Sequence, residues 1–525
     1  MLVKPRLLNL SGPTFGRCFV KDKSIFYPQN ISIAKPYSAS AAPVLENLGL
    51  FKQKAYVNQK WVDSITSKTF PVNNPATGEE IGRCPDMDLD DLKLTIEAAK
   101  HGFSTYKSIT PAQRRAHLRE FDRLIRLNAD DLAQIIVAEN GKSWKDAQAE
   151  VLYAASFVDW FADEAIRTYG TIVPSSVAGH RHIVLKQPIG VVAALCPWNY
   201  PAAMVTRKVS PALAAGCPVI IKAPPETPLT SLALAELAHQ AGFPPGVFNV
   251  ITTQSTVEIG KALCECADIR KLSFTGSTSV GKLLMQQSSS SLKKLSLELG
   301  GNAPCIVFND AEVDQAIEAI ITAKFRGGGQ TCISPNRIFV QSSIYAEFAS
   351  KFARKVSQLK FGPGLAENVQ IGPLINEKGL QKVSRHVNTA KDAGAEILVG
   401  GKKVSGPGYF FEPTVLSEVP VGVIDNEETF GPVAALYRFD SEAEVLEKAN
   451  DSELGLAGYL FSKDLGRIWR VAEALEVGMV GVNTGMISNA MTPFGGVKQS
   501  GFGREGSWLG IEEYQVVKYM AMGGI

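Results

Sequence analysis

Between residues 190 and 310 the chain alternates short apolar runs with longer stretches of helical periodicity. The run 190–195 reads as a buried strand, 202–215 as a helix, 219–222 as a strand and 229–241 as a helix. The pattern continues as strand 247–251, helix 257–264, strand 271–274 and a helix from Ser279. A second series follows, with helix 313–325, strand 337–340, helix 344–359, strands 432–439 and 458–461, and helix 465–475. Alternation at this spacing predicts βαβ units and parallel sheets wound on both faces, so the fold class is α/β with two such domains. Upstream, 54–64 reads as strand and turn, and the ordered chain is expected to begin near Leu50.

The length of 525 residues suits two to four domains. With 45% hydrophobic and 20% charged residues the composition is globular, and no apolar run is long enough for a spanning helix, so no membrane partner is expected. Lys and Arg sum to 54 and Asp and Glu to 52, a net of +2. Lys4, Arg6, Arg17, Lys21, Lys23 and Lys35 stand against Asp22 alone in residues 1–45, so the other 480 residues carry a net −3. The body is therefore not a nucleic-acid binder. The basic, Ser- and Pro-rich segment 1–45 has the profile of a mitochondrial transit peptide, which implies the matrix. A disordered tail on a cytoplasmic protein is the alternative.

Eight cysteines spread over the chain are not a disulfide framework. The close pair Cys264-Glu265-Cys266 has no second pair or histidine beside it, so no metal is expected.

Two glycine motifs resemble phosphate loops. Gly501-Phe-Gly-Arg-Glu-Gly506 matches G-x-G-x-x-G, but 19 residues remain after it and no βαβ unit fits, so it is not a dinucleotide fingerprint. Gly276-Ser-Thr-Ser-Val-Gly281-Lys282 follows a strand and opens a helix. Leu283 stands where a P-loop needs a hydroxyl for Mg²⁺, which argues against an ATPase, while a glycine turn at a helix N-terminus still suits a pyrophosphate.

In Phe325-Arg-Gly-Gly-Gly-Gln-Thr-Cys332 a cysteine follows three glycines. Such a backbone can bring N–H groups to an oxyanion or a thiolate, although a cysteine in this setting is more often a small buried apolar residue. The accompanying motifs decide between the two. Pro197-Trp-Asn-Tyr-Pro201, Phe274-Thr-Gly-Ser-Thr278, Leu297-Glu-Leu-Gly-Gly301, Gly329-Gln-Thr-Cys332, Glu427-Glu-Thr-Phe-Gly-Pro432 and Pro493-Phe-Gly-Gly-Val-Lys-Gln-Ser-Gly501 occur in order. With them the chain resembles the aldehyde dehydrogenase family over nearly its whole length past residue 50. The tail from Phe502 and the Met204–Lys208 and Lys324–Arg326 contexts look most like its succinate-semialdehyde branch.

That resemblance implies two Rossmann-like domains, cofactor-binding (50–165 and 190–310) and catalytic (311–498), plus a small β oligomerisation arm (166–189 and 499–525). A homo-oligomer, dimer or tetramer, is implied with it. Cys332 is the implied nucleophile, Asn199 the oxyanion donor and Glu298 the base that activates water. NAD or NADP would be held by Trp198, Lys222, Gly276, Ser277, Glu428 and Phe430, with Glu427 an idle neighbour. Arg207, Arg326 and Ser488 would hold the carboxylate of a small aldehyde substrate. Glutarate semialdehyde, an aromatic aldehyde, a coenzyme A-acylating reaction and a catalytically dead relative are the competing readings; Cys332 and Glu298 argue against the last two. Pro225 stands where NAD-preferring relatives carry Glu, which predicts tolerance of NADP. Ser334 stands where some relatives carry a second cysteine, which predicts no disulfide switch.

Overall fold

A computed structural model describes residues 43–525, so all but the last three residues of the basic segment lie outside the described residues. Strand and helix positions follow the apolar pattern closely. The expected 219–222 and 313–325 are Val219–Lys222 and Val313–Phe325, and 229–241 is Pro228–Gln240. The helix expected over 344–359 is shorter, Tyr345–Val356, because the chain turns where Leu359 N–H donates to Val356 O at 3.1 Å.

The first sheet orders its eight strands as Lys60–Val62, Ala55–Val57, Phe248–Ile251, Val219–Lys222, Val191–Leu195, Ile269–Thr275, Lys294–Glu298 and Gly501–Phe502. The five from Phe248–Ile251 to Lys294–Glu298 are parallel, and their outer neighbours are antiparallel. From Val191–Leu195 the chain moves outward through Val219–Lys222 to Phe248–Ile251. It then returns to the other side of Val191–Leu195 with Ile269–Thr275. That reversal is a topological switch point, and open α/β sheets bind ligands beyond the carboxyl ends of the strands there.

The second sheet has seven strands, in the order Glu396–Val399, Thr414–Ser417, Val433–Phe439, Arg337–Gln341, Pro304–Val307, Ala457–Phe461 and Met479–Val482. All its pairings are parallel except the one made by Glu396–Val399. Strands Thr171–Val173, Arg181–Pro188 and Gln515–Met522 form a separate antiparallel sheet that leaves Ile172, Val517 and Tyr519 exposed. Of the segment 499–525 expected as an arm, only Gln515–Met522 joins this sheet. Gly501–Phe502 instead pairs with Leu297 and Glu298, which is why its G-x-G-x-x-G letters make no dinucleotide loop.

Helices Leu89–Tyr106, Pro111–Leu127, Ala129–Asn140 and Trp144–Glu164 cover the first sheet's side of the molecule. Helix Ala203–Ala215 packs against Pro111–Leu127 and Trp144–Glu164, on the face of the sheet opposite Leu89–Tyr106, and is buried on every side, Arg207 and Lys208 included. Charges placed there must find partners, and this requirement shapes the site. Among the described residues no helix is long and apolar enough to cross a membrane.

Candidate active site

Half of the expected residues sit at the carboxyl ends of adjacent strands. Trp198 and Asn199 follow Val191–Leu195, Lys222 ends Val219–Lys222, Gly276 follows Ile269–Thr275 and Glu298 ends Lys294–Glu298. Cys332 comes from the other side, after helix Val313–Phe325 and the turn Arg326–Gly329. Gly327, Gly328 and Gly329 have φ of +59°, +68° and +72°, three successive left-handed residues that side chains would strain. The Asp146 carboxylate accepts the Gly327 N–H at 2.9 Å and holds that turn.

Asn199 Nδ2 donates to Gln330 O at 3.0 Å, stitching the two loops together. A primary amide has a second N–H, so one donor remains for a ligand. A cavity of about 130 Å³ opens beside them, lined by Asn199, Cys332, Arg326, Arg207, Tyr153 and Ser488 among others. Burial pushes the Cys332 thiol up to about 12, with Arg207 and the Cys332 backbone N–H pulling the other way. Both Glu298 carboxylate oxygens are buried without a hydrogen-bond partner. Burial, and then the charge of Glu505, raise Glu298 well above the usual carboxylate range, while Arg207 and Lys208 oppose.

Arg207 lines the cavity as expected but is already paired. Its Nε is bound by Glu505, its guanidinium lies 4.0 Å from the Phe494 ring centroid, and its buried Nη2 lacks a partner. It is therefore not a free fork, because a guanidinium buried on a fully enclosed helix needs a counter-charge. Glu505 also accepts from Lys208 Nζ at 2.5 Å, and Lys208 donates to Thr275 at 2.7 Å. Arg326 differs. It makes no ion pair among the described residues, its Nη1 meets Met486 Sδ at 3.1 Å, and its Nε has no partner. Ser488 Oγ hydrogen-bonds the Tyr153 hydroxyl at the cavity wall.

The residues expected to hold a dinucleotide line the switch point. Burial lowers Lys222 to about 8, with Glu226 opposing. Gly276 N–H donates to Glu298 O at 3.1 Å, and a side chain there would collide with the Phe274 ring. Ser277 caps the helix Thr278–Ser288 and is exposed. Trp198 and Phe430 meet edge to face at 5.6 Å, with Phe430 held at φ +53°. Glu428 Oε1 is buried without a partner, and burial pushes its carboxyl up to about 8. An orphaned acceptor beside a glycine turn fits a ribose hydroxyl and a pyrophosphate. Glu427 is not idle: it pairs with Lys382 at 3.1 Å and with His386 Nε2 at 3.0 Å. Thr429 Oγ1 bonds the other ring nitrogen of His386 at 3.1 Å. Glu427, Lys382 and His386 thus fasten the loop carrying Glu428 and Phe430.

Residues absent from the sequence reading complete the site. Glu505 lies within the discarded glycine motif. Asp146, Glu150 and Tyr153 line the cavity from helix Trp144–Glu164. The signal for Glu150 is a charge inside the apolar stripe Ala147, Val151, Ala154 and Val158, where burial demands a partner.

The family model described as "Aldehyde dehydrogenase family" matches residues 61–520. The chain belongs to the aldehyde dehydrogenase family. It is similar to the glutarate-semialdehyde dehydrogenase of Pseudomonas putida, 50% identical over 479 residues covering 91% of this chain and 99% of that one. It is similar also to the NADP(+) succinate-semialdehyde dehydrogenase 1 of Schizosaccharomyces pombe, 52% identical over 480 residues, 91% of this chain and 96% of that one. The crystal structure of succinate-semialdehyde dehydrogenase from Burkholderia pseudomallei matches with a TM-score of 0.90 at 49% identity, covering 91% of this chain and 100% of that one.

Proposed function

We propose that this enzyme oxidises succinate semialdehyde to succinate with NAD or NADP. The observation that carries the reading is Arg326, a guanidinium that makes no ion pair among the described residues and lines the cavity that holds Cys332. A substrate carboxylate supplies the missing partner, and Ser488 adds a hydroxyl beside it.

The Cys332 thiolate attacks the aldehyde carbon and gives a thiohemiacetal. Its oxyanion is held by the second N–H of Asn199 and by the backbone N–H of Cys332. Lys222 would hold the adenosine ribose of the dinucleotide, Gly276 and Ser277 its pyrophosphate, and Glu428 its nicotinamide ribose with Phe430 and Trp198 beside it, and the bound cofactor would supply the hydride acceptor. Loss of the hydride leaves a thioester on Cys332 Sγ. Glu298 takes a proton from water, the hydroxide attacks the thioester carbon, the C–S bond breaks and succinate leaves. The presence of Glu298 favours water over coenzyme A as acceptor. The test is reduced-nicotinamide absorbance with purified protein, succinate and glutarate semialdehydes, benzaldehyde and both cofactors. The highest kcat/KM is expected with succinate semialdehyde, and benzaldehyde as the best substrate overturns the reading.

The exposed apolar residues of the three-stranded sheet support a homo-oligomer, dimer or tetramer, which light scattering of the purified enzyme checks. The basic, acid-poor first segment supports the mitochondrial matrix, and an import assay with and without residues 1–45 checks it.

A further inference from the structure

The turn that carries Asn199 is gripped from one side by side chains that touch no reacting atom. Asn140 Nδ2 donates to Trp198 O at 2.9 Å, and Lys142 Nζ donates to Asn199 O at 2.9 Å. Lys142 is also ion-paired with Glu150, and its ammonium lies 4.0 Å from the Tyr200 ring centroid. Glu150 Oε1 in turn accepts the N–H groups of Ala202 at 2.9 Å and Ala203 at 3.3 Å. The Lys142 and Glu150 side chains are 2% and 0% exposed.

A buried Lys–Glu pair is poor evidence for stability, because the cost of dehydrating both ions offsets much of their attraction. Here the two charges reach opposite ends of one short turn, Lys142 on the Asn199 carbonyl and Glu150 on the N–H groups that open helix Ala203–Ala215. A peptide bond is planar, so fixing the Asn199 carbonyl fixes the plane that follows the residue and limits the swing of its side chain. That side chain is the one joined to Gln330 O, two residues before Cys332.

We propose that Lys142, backed by Glu150, is a positioning residue for the reaction, pinning the Asn199 carbonyl so that the Asn199 amide keeps its place beside the nucleophile loop. This rests on the reading of Asn199 as an oxyanion donor. Its effect falls on the step in which negative charge develops on the substrate oxygen, and misplacement by about 1 Å costs such steps up to about 100-fold. Cofactor affinity and direct alkylation of Cys332, which builds no oxyanion, lie outside its reach.

The experiment compares Lys142→Met, Asn199→Ala and the double variant in the full-length enzyme. Glu150 keeps its two backbone donors in Lys142→Met, so the fold has a route to tolerate the change. Lys142→Met is expected to lower kcat about 10- to 100-fold, with KM for the cofactor and the iodoacetamide rate at Cys332 within about threefold of wild type. Asn199→Ala is expected to lower kcat about 100- to 1,000-fold, and the double variant no further than Asn199→Ala alone. Losses that multiply in the double variant overturn the proposal, as does wild-type kcat in Lys142→Met beside a damaged Asn199→Ala. Wild-type kcat in Asn199→Ala overturns the oxyanion reading itself and the proposal with it. Should Lys142→Met not fold, Lys142→Arg keeps the pair with Glu150 while its larger head displaces the Asn199 carbonyl. A severalfold kcat loss absent on the Asn199→Ala background is then expected, and wild-type kcat overturns the proposal.

Discussion

Glu505 binds Arg207 Nε with one carboxylate oxygen and Lys208 Nζ, at 2.5 Å, with the other. All three side chains are buried, and the two cations hold Glu505 well below the usual carboxylate range despite that burial. Arg207 therefore enters the cavity already neutralised, whereas Arg326 makes no ion pair among the described residues and feels the Asp146 carboxylate only at longer range.

The two arginines should then separate in mutagenesis. Arg326→Ala is expected to raise KM for succinate semialdehyde by about 10-fold or more, the scale of one charge-assisted pair, and to spare small uncharged aldehydes. Arg207→Met should instead damage both classes of substrate alike. It should also lower Tm by several degrees, because it removes one of two partners from a buried carboxylate. Steady-state kinetics on both substrates with a thermal melt decide the matter. Equal losses on both aldehydes in Arg326→Ala sink the assignment.

Cys332 and Glu298 titrate in the same direction for the same reason. Burial favours the neutral form of each and raises both, the Cys332 thiol to about 12. The thiolate fraction of a thiol whose pKa lies above the working range grows tenfold with each pH unit. Iodoacetamide inactivation without cofactor should therefore climb steadily from about pH 7 to beyond pH 9, past the ordinary cysteine value near 8.5. A plateau below that value would show that the thiol is activated in the free enzyme.

How legible this site is in the sequence depends on the range over which each feature is encoded. Cys332, Glu298 and Asn199 lie in compact motifs, and the core strands are continuous apolar runs because both faces of a parallel sheet are covered. Helix Pro111–Leu127 is harder to read, since five arginines mask the buried stripe Leu118, Phe121, Leu124 and Ile125. Its capping box, Thr110 with Gln113, is the local signal that marks its start. The Arg207–Glu505 pair spans 298 positions, and no local pattern joins such residues. Glu150 shows only as a charge in an apolar stripe, and Lys142 and Asp146 become intelligible once helix Trp144–Glu164 lies against helix Ala203–Ala215.

Cofactor preference turns on Pro225. It lines a surface cavity together with Glu226, Asn73 and Tyr409, and Glu226 is near enough to Lys222 to oppose its lowered pKa. With Pro rather than Glu three residues after Lys222, no carboxylate at that position repels a 2′-phosphate, a repulsion of about 1–4 kcal/mol depending on screening. NADP should thus be used with kcat/KM within about 100-fold of NAD, a gap of 2.7 kcal/mol at most. Pro225→Glu should lower kcat/KM for NADP at least about fivefold while sparing NAD. A wild-type preference for NAD beyond that range ends the argument.

Redox behaviour turns on Ser334. Its N–H donates to Thr331 O at 2.9 Å and its hydroxyl to Lys324 O at 3.3 Å, so it sits buried against the nucleophile loop with no sulfur to offer. The cysteines among the described residues are all free, and Cys305 is enclosed in strand Pro304–Val307 of the second sheet. Among the described residues a sulfenic acid formed at Cys332 then has no adjacent thiol in its loop to resolve it, and it proceeds toward sulfinic acid or awaits glutathione. Peroxide inactivation should be restored poorly by dithiothreitol, and peptide mapping should find no bridge to Cys332. Ser334→Cys should convert the loss into one that dithiothreitol reverses, by placing a resolving thiol two residues from the nucleophile. Full recovery of the wild-type enzyme together with a mapped Cys332 bridge would show that another cysteine serves as the resolving partner.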